Sequence, residues 1–263
     1  MSIRIAIAGA AGRMGQALAA CARGGAAGDG FIVAGGTERP GAAGIGADQG
    51  GWTLSDSARK AAASADVWID FTTPQASLEA LELLKLTKVQ AAVIGTTGLS
   101  PQQEQQIAEH ARRIPIVRDR NFSLGVNLMI RLVEQAAARL GADWDVEITE
   151  SHHRRKVDAP SGTALMIGEA AAQGRGAKLA DIRVPPHDGM TGPRKEGSLA
   201  FSVIRGGGII GDHAAAFISD EEILSISHRA LDRAIFAKGA LIAAKWAVKQ
   251  TPGLYAMRDV LAL

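Results

Sequence analysis

Between Glu150 and Thr163 the chain runs Glu150-Ser151-His152-His153-Arg154-Arg155-Lys156-Val157-Asp158-Ala159-Pro160-Ser161-Gly162-Thr163. Two imidazoles and three cationic side chains precede a Pro-Ser-Gly-Thr turn. Histidine titrates near neutrality and can give or take a proton, and a lysine crowded by cations releases its proton more readily. His152 and Lys156 stand at i and i+4, which puts them on one side of a strand or of a helix. That spacing predicts an acid–base pair. Ser161 is expected to cap a helix whose first residues, Gly162 and Thr163, turn backbone N–H groups toward an anion, a carboxylate in particular. Adjacent histidines with no further ligand at metal spacing, and no HExxH pattern, predict no metal site.

Such a cluster needs a scaffold, and the bulk properties supply one. The chain has 263 residues, 47% of them apolar, enough for a full core in one large domain or two modest ones. A net charge of +2 carries no basic excess of the kind that marks nucleic-acid binding. A single cysteine, Cys21, excludes an intramolecular disulfide and fits a reducing compartment; it is expected to be a packed apolar residue. No apolar run approaches the roughly 18 residues of a membrane span, and Ser2–Gly9 is too short for a signal core. The expected location is the cytoplasm.

The first half alternates strand and helix. Apolar runs at 2–9, 31–36, 67–71, 91–94 and 114–117 read as buried strands. Between them lie helices with legible starts: 16–23, one opening at Pro74, and one opening at Ser100-Pro101-Gln102-Gln103 with an N-cap, a proline at N1 and a capping-box glutamine. This pattern predicts a Rossmann-like, doubly wound α/β domain on a parallel sheet. After Phe122 the pattern changes. Helices are expected at 124–140 and 163–173, and strands at 144–150, 199–205, 209–218 and 222–228. Gly206-Gly207-Gly208 and Asp220-Glu221 read as hairpin turns. A second, α+β domain with a mixed or antiparallel sheet follows, and the apolar helix 233–249 is expected to return to the first domain.

Gly9-Ala10-Ala11-Gly12-Arg13-Met14-Gly15 has the spacing of a relaxed dinucleotide fingerprint. Its glycines allow the tight turn, the approach of a pyrophosphate to the backbone, and close helix–strand packing. Glu38 lies where a carboxylate meets the adenosine ribose, and Arg39 could face a 2′-phosphate, so NADH and NADPH both stay open. Gly95, Thr96, Thr97 and Gly98 follow one strand, and Asp119, Arg120, Asn121 and Phe122 follow another. Loops at the carboxyl ends of parallel strands should face the cofactor.

Taken together, these segments resemble the dihydrodipicolinate reductase family. The resemblance covers essentially the whole chain. Its specific part is Glu150 through Ala164; it also includes the Gly9–Gly15 turn, Ile69-Asp70-Phe71-Thr72, Gly95–Gly98, Asn121–Asn127 and Met257-Arg258-Asp259-Val260-Leu261. It implies NADH- or NADPH-dependent reduction of 4-hydroxy-tetrahydrodipicolinate with loss of water. His152 would be the acid–base histidine, Lys156 the proton donor, and His153, Gly162 and Thr163 the holders of the carboxylates of a cyclic dicarboxylate. Cofactor contacts would come from Gly9, Ala10, Ala11, Gly12, Arg13 and Met14, from Glu38 and Arg39, from Gly95, Thr96 and Thr97, and from Asp119, Arg120, Asn121 and Phe122. Residues 1–122 plus 234–263 would form the dinucleotide-binding domain, and residues 123–233 the substrate-binding and oligomerisation domain of a homotetramer joined through the sheets of that domain.

Three positions depart from the family pattern: Asp119-Arg120, where small residues or proline are usual; Gly208, where an acid is usual; and His187-Asp188-Gly189, where a basic residue is expected. Two rival classes are weaker. A semialdehyde dehydrogenase needs a nucleophilic cysteine in its second domain, and Cys21 lies in the first. A non-catalytic nucleotide-binding regulator has no use for His152 and Lys156.

Overall fold

The structure, a computed structural model, describes residues 2–25 and 30–263. The chain divides into two compact units, residues 1–124 with 234–262, and residues 125–233.

The first unit is built on a parallel sheet. Its described strands are β1 (Ile3–Ala8), β2 (Phe31–Thr37), β3 (Leu54–Ser55), β4 (Val67–Asp70), β5 (Ala91–Ile94), β6 (Pro115–Arg118) and β11 (Gly253–Tyr255), arranged β11-β6-β5-β4-β1-β2-β3. Every neighbouring pair is parallel. The order of the first six is that of a dinucleotide-binding sheet, with its switch point beside β1. Alternation sorts each strand onto two faces, both apolar. Ile5, Ile7, Val67, Ile69 and Val93 pack with α1 (Arg13–Arg23) and α8 (Ala234–Ala247). Ala6, Trp68, Ala92, Ile94 and Ile116 pack with α2 (Ala58–Ala61), α3 (Pro74–Leu84) and α4 (Pro101–Ala111). Burial on both faces is why these strands read as continuous apolar runs.

The expected helix starts at Pro74 and Ser100 are present. Thr73 caps α3, and Ser100 and Gln103 form the reciprocal capping box of α4. Cys21 is buried in the core on α1. One start differs: α1 begins at Arg13 rather than Gln16. The fingerprint residues themselves make its first turn, because Gly12 is extended and leaves Arg13 free to enter the helix.

The second unit carries α5 (Leu124–Arg139), β7 (Asp145–His152), α6 (Gly162–Gly174), α7 (Leu179–Ile182), β8 (Leu199–Arg205), β9 (Asp212–Ile218) and β10 (Ile223–Arg229). The sheet is mixed, in the order β10-β9-β7-β8. Val146, Ile148, Phe201 and Phe217 bury one face against Met129 and Val133 of α5 and Ile167 and Ala171 of α6. The Asp220-Glu221 hairpin is present, since β9 and β10 pair antiparallel and Ser219 N–H donates to Glu222 O at 3.0 Å. The Gly206–Gly208 hairpin is not. β8 pairs parallel with β7, and β9 pairs with β7 along its other edge. The glycine loop therefore crosses the carboxyl end of β7 instead of folding β8 back on β9.

Candidate active site

In the first unit the fingerprint forms a tight backbone turn. Gly9 takes φ +63°, a region that side chains disfavour. A Cβ on Gly15 would lie 2.3 Å from Gly9 O and 2.5 Å from Ala10 Cα, so this glycine lets α1 sit directly on the end of β1. Two fingerprint amides are used internally: Ala10 N–H donates to Thr37 O at 2.8 Å and Gly12 N–H to Gly9 O at 2.9 Å. No side chain caps α1, and the amides of Ala11, Arg13 and Met14 meet no backbone carbonyl among the described residues. An uncapped helix start above a glycine turn is the donor set a pyrophosphate needs, so the residues present fit a dinucleotide.

Beside this turn lies a cavity of about 370 Å³ whose lining includes Gly9, Glu38, Arg39, Asp56, Asp70 and Thr72. Glu38 is half-buried at the end of β2 and accepts the Arg39 amide at 3.1 Å, while the Arg39 side chain is exposed. Asp70, fully buried at the end of β4, is a hub that sequence reasoning quoted only as part of a motif. Its Oδ1 accepts Thr72 N–H at 2.9 Å and Thr72 Oγ1 at 2.6 Å, and Thr96 Oγ1 at 3.3 Å. Thr96 is thereby turned inward, while Thr97 is exposed. Gly95 lies against the Phe71 ring, where a Cβ would come within 2.0 Å.

Asp119, expected to border the cofactor as part of an unusual charge pair, spends its carboxylate on the backbone. Oδ1 accepts the amides of Arg120 at 2.7 Å and Asn121 at 3.2 Å. Oδ2 accepts Met257 N–H at 3.0 Å, tying the end of β6 to α9 (Met257–Val260). Asn121 Oδ1 accepts Ser123 N–H at 2.8 Å, and Phe122 is buried edge-on to Phe71 with ring centroids 5.3 Å apart. Arg120 is the exposed member of this loop.

In the second unit the alternation of β7 places Glu150 on the inward face, after Val146 and Ile148. A carboxylate in a core position must have its oxygens answered, and Glu150 does. Oε1 accepts Ser161 N–H at 2.9 Å and Arg205 Nη2 at 2.7 Å; Oε2 meets His152 Nδ1 at 2.6 Å and Arg205 Nη1 at 2.8 Å. Burial pushes its carboxyl up, but Arg205, His152 and the Ser161 amide together hold it below the ordinary range. With Nδ1 tied to Glu150, the His152 ring presents Nε2 to Gly211 in the crossing loop, where a Cβ would lie 3.0 Å away. His213, buried on β9, stacks edge-on to His152 at 5.1 Å and meets Ser161 Oγ through Nε2 at 3.0 Å. Burial lowers its pKa to about 4, so it is neutral at neutral pH.

The shared periodicity expected for His152 and Lys156 does not exist. β7 ends at His152, and a turn follows in which Lys156 N–H donates to His153 O at 3.1 Å. Nor is Lys156 surrounded by cations: its ammonium is held by both carboxylate oxygens of Asp158, at 2.7 and 2.8 Å. That contact keeps the Asp158 carboxyl low. His153 has a buried Nδ1 without a partner among the described residues, and burial, helped by Arg155 and Arg233, lowers its pKa. Ser161 caps α6 as expected, accepting Ala164 N–H at 3.2 Å, so Gly162 and Thr163 form the first turn, with Gly162 exposed. Glu150, Arg205, His213 and Asp158 are the residues that sequence reasoning passed over. Only Glu150 carried a signal, as an acid at an apolar register. No cluster suited to a metal occurs among the described residues.

A dinucleotide-type parallel sheet with an uncapped glycine turn, joined in one chain to a unit holding a carboxylate-tethered histidine, fits the class of dinucleotide-dependent enzymes. A family model described as dihydrodipicolinate reductase, N-terminus, matches residues 3–122, and one described as dihydrodipicolinate reductase, C-terminus, matches residues 125–261. The chain belongs to the dihydrodipicolinate reductase family. A 4-hydroxy-tetrahydrodipicolinate reductase of Caulobacter vibrioides is 51% identical over 261 residues, covering 98% of this chain and 97% of the relative. One from Cereibacter sphaeroides is 49% identical over 267 residues, covering 98% of each. The structure of a dipicolinate-bound dihydrodipicolinate reductase from Paenisporosarcina sp. TG-14 shares the fold, with a TM-score of 0.75 at 23% identity over 98% of this chain and 99% of that one. Membership implies use of NADH or NADPH.

Proposed function

We propose that this chain reduces 4-hydroxy-tetrahydrodipicolinate to tetrahydrodipicolinate with loss of water, in lysine and diaminopimelate biosynthesis. The observation that carries the reading is the Glu150–His152 pair beside the Ser161-capped start of α6, in a chain about half identical to relatives named for that activity. Bound nicotinamide supplies a hydride. Gly162 and Thr163 hold one substrate carboxylate through the helix start, and His153 supports the other. His152 and Lys156 move protons: one leaves the ring as the hydroxyl departs as water, and one returns as charge develops on hydride arrival. The balance is one hydride and one proton in, and water out. Gly9 through Met14 would hold the pyrophosphate, Glu38 and Arg39 the adenosine ribose, and Gly95, Thr96, Thr97 and residues 119–122 would border the nicotinamide.

The lining of the same cavity supports a preference between the two cofactors. Glu38 is half-buried with Asp56 nearby, whereas Arg39 is exposed, so NADH is the favoured partner and NADPH is accepted through Arg39. The reading includes a cytoplasmic location, in keeping with one buried cysteine, and a homotetramer joined through the outward faces of the second-unit sheets. No described helix is long and apolar enough to cross a membrane. Reduced cofactor deuterated at the transferable position tests the reaction type: deuterium should appear in the product on the carbon that carried the hydroxyl. Product without deuterium contradicts direct hydride transfer.

A further inference from the structure

His152, Lys156 and the helix start at Ser161 lie on one stretch of chain, yet they do not touch one another through hydrogen bonds of their own. A single side chain from a different strand reaches all three at one remove, through Glu150 and Asp158. Arg205 ends β8, and the parallel register sets it opposite His152. Its two terminal nitrogens grip the two oxygens of Glu150, at 2.8 and 2.7 Å, and Nη2 also donates to Asp158 O at 2.7 Å. One Glu150 oxygen then fixes His152 Nδ1, and the other fixes the Ser161 amide. Asp158, held at its carbonyl, grips Lys156 with its carboxylate.

We propose that Arg205 is the positioning residue that sets the acid–base histidine, the proton-donating lysine and the carboxylate-binding helix start in one frame. The proposal rests on the reductase reading above. A planar guanidinium can bridge both carboxylate oxygens and still reach a carbonyl. A lysine ammonium delivers the same charge from one point and cannot hold that fork. Bridged at one oxygen only, Glu150 would pivot, and the His152 ring and the Ser161 amide would move with it. Backbone ties keep the strand ends in place independently of the side chain: Gly206 N–H donates to His152 O at 3.0 Å and Arg154 N–H to Gly207 O at 3.3 Å. Replacing Arg205 by lysine keeps a positive charge beside Glu150 and therefore alters orientation before it alters the fold.

The test is Arg205→Lys beside Arg205→Ala, with wild type as control. A displacement on the order of 1 Å at reacting groups costs roughly 10²-fold in rate, so Arg205→Lys should lose about that factor in kcat while the KM for NADH stays unchanged. The pH profile of kcat should move with it, because His152 loses its fixed partner. Arg205→Ala should regain rate when guanidinium is added and not when an equal concentration of methylammonium is. Wild-type kcat in Arg205→Lys overturns the proposal. So does a rate loss that merely follows a fall in Tm, with no shift in the pH profile and no rescue, since that marks a structural residue. The imidazole N–H resonance of His152 gives a readout that does not need turnover: it should move in Arg205→Lys, and an unmoved resonance also overturns the proposal. If wild type itself fails to turn over, the reductase reading falls instead, and the resonance still decides the role of Arg205.

Discussion

Glu150 is an ionised group at a position whose inward-facing neighbours along the strand are valine and isoleucine, and three partners, through four hydrogen bonds, make that tolerable. Removing such a partner strands a buried charge, at about 3–5 kcal/mol. Lys156, the proposed proton donor, lies further out on Asp158, so its loss should affect rate and leave the fold intact. Lys156→Ala is expected to lower kcat by roughly 10²- to 10⁴-fold, the range for a general acid, with NADH affinity unchanged in a direct titration. Loss of NADH binding in that variant contradicts the division of labour between the two units. His213 makes a pH prediction. Burial holds it to about 4 against an ordinary 6.5; His152, Glu150, His228 and Asp212 are the charged or titratable neighbours acting on it. The unfolded chain takes up this proton first as pH falls, so the stability is complete above the ordinary value and is lost on descent through the window to about 4. A tenfold difference in proton affinity between the folded and unfolded chain is worth roughly 1.4 kcal/mol, so the loss reaches about 3 kcal/mol. His213→Gln should flatten the fall of the urea midpoint across that window, and an unchanged slope in the variant rules His213 out as its source.

At the scale of elements, the glycine turn and α1 carry the clearest commitment. Gly15→Ala forces a methyl into the backbone of Gly9 and Ala10, so α1 must lift from β1. A cost of about 1–3 kcal/mol is expected, with weakened NADH binding because the phosphate-facing amides shift with the helix. Calorimetry and titration read both, and a variant with wild-type Tm and affinity contradicts the packing role. Where local chemistry decides the outcome, the sequence was legible: the capping box at Ser100, the Ser161 cap, the buried strands of the first unit and the limits of β8. It failed where the outcome depends on a partner far along the chain. Gly206–Gly208 has the composition of a hairpin turn, and only the parallel docking of β8 on β7 makes it a crossing loop. The i, i+4 argument for Lys156 failed because β7 stops at His152, and nothing within 152–156 announces that stop. β3, β11, α2 and α9 are too short for periodicity to register.

At the scale of the whole molecule, one unit holds a glycine turn whose amides fit a dinucleotide, and the other holds the proposed acid–base histidine and a Ser161-capped helix start. The outward face of the second-unit sheet presents Ala214, Ala216, Ser225 and Ser227, small residues with no helix over them among the described residues. If tetramers form through that face, Ala216→Glu should cut the mass in sedimentation while leaving the fold intact; an unchanged tetramer points to another interface. Purified protein is given NADH and substrate freshly condensed from pyruvate and aspartate semialdehyde, and the loss of reduced-nicotinamide absorbance is followed. Absorbance should fall with multiple turnovers, only when both substrate and protein are present, and NADPH should support the reaction less well. A protein that binds NADH tightly and leaves the absorbance unchanged would contradict the account.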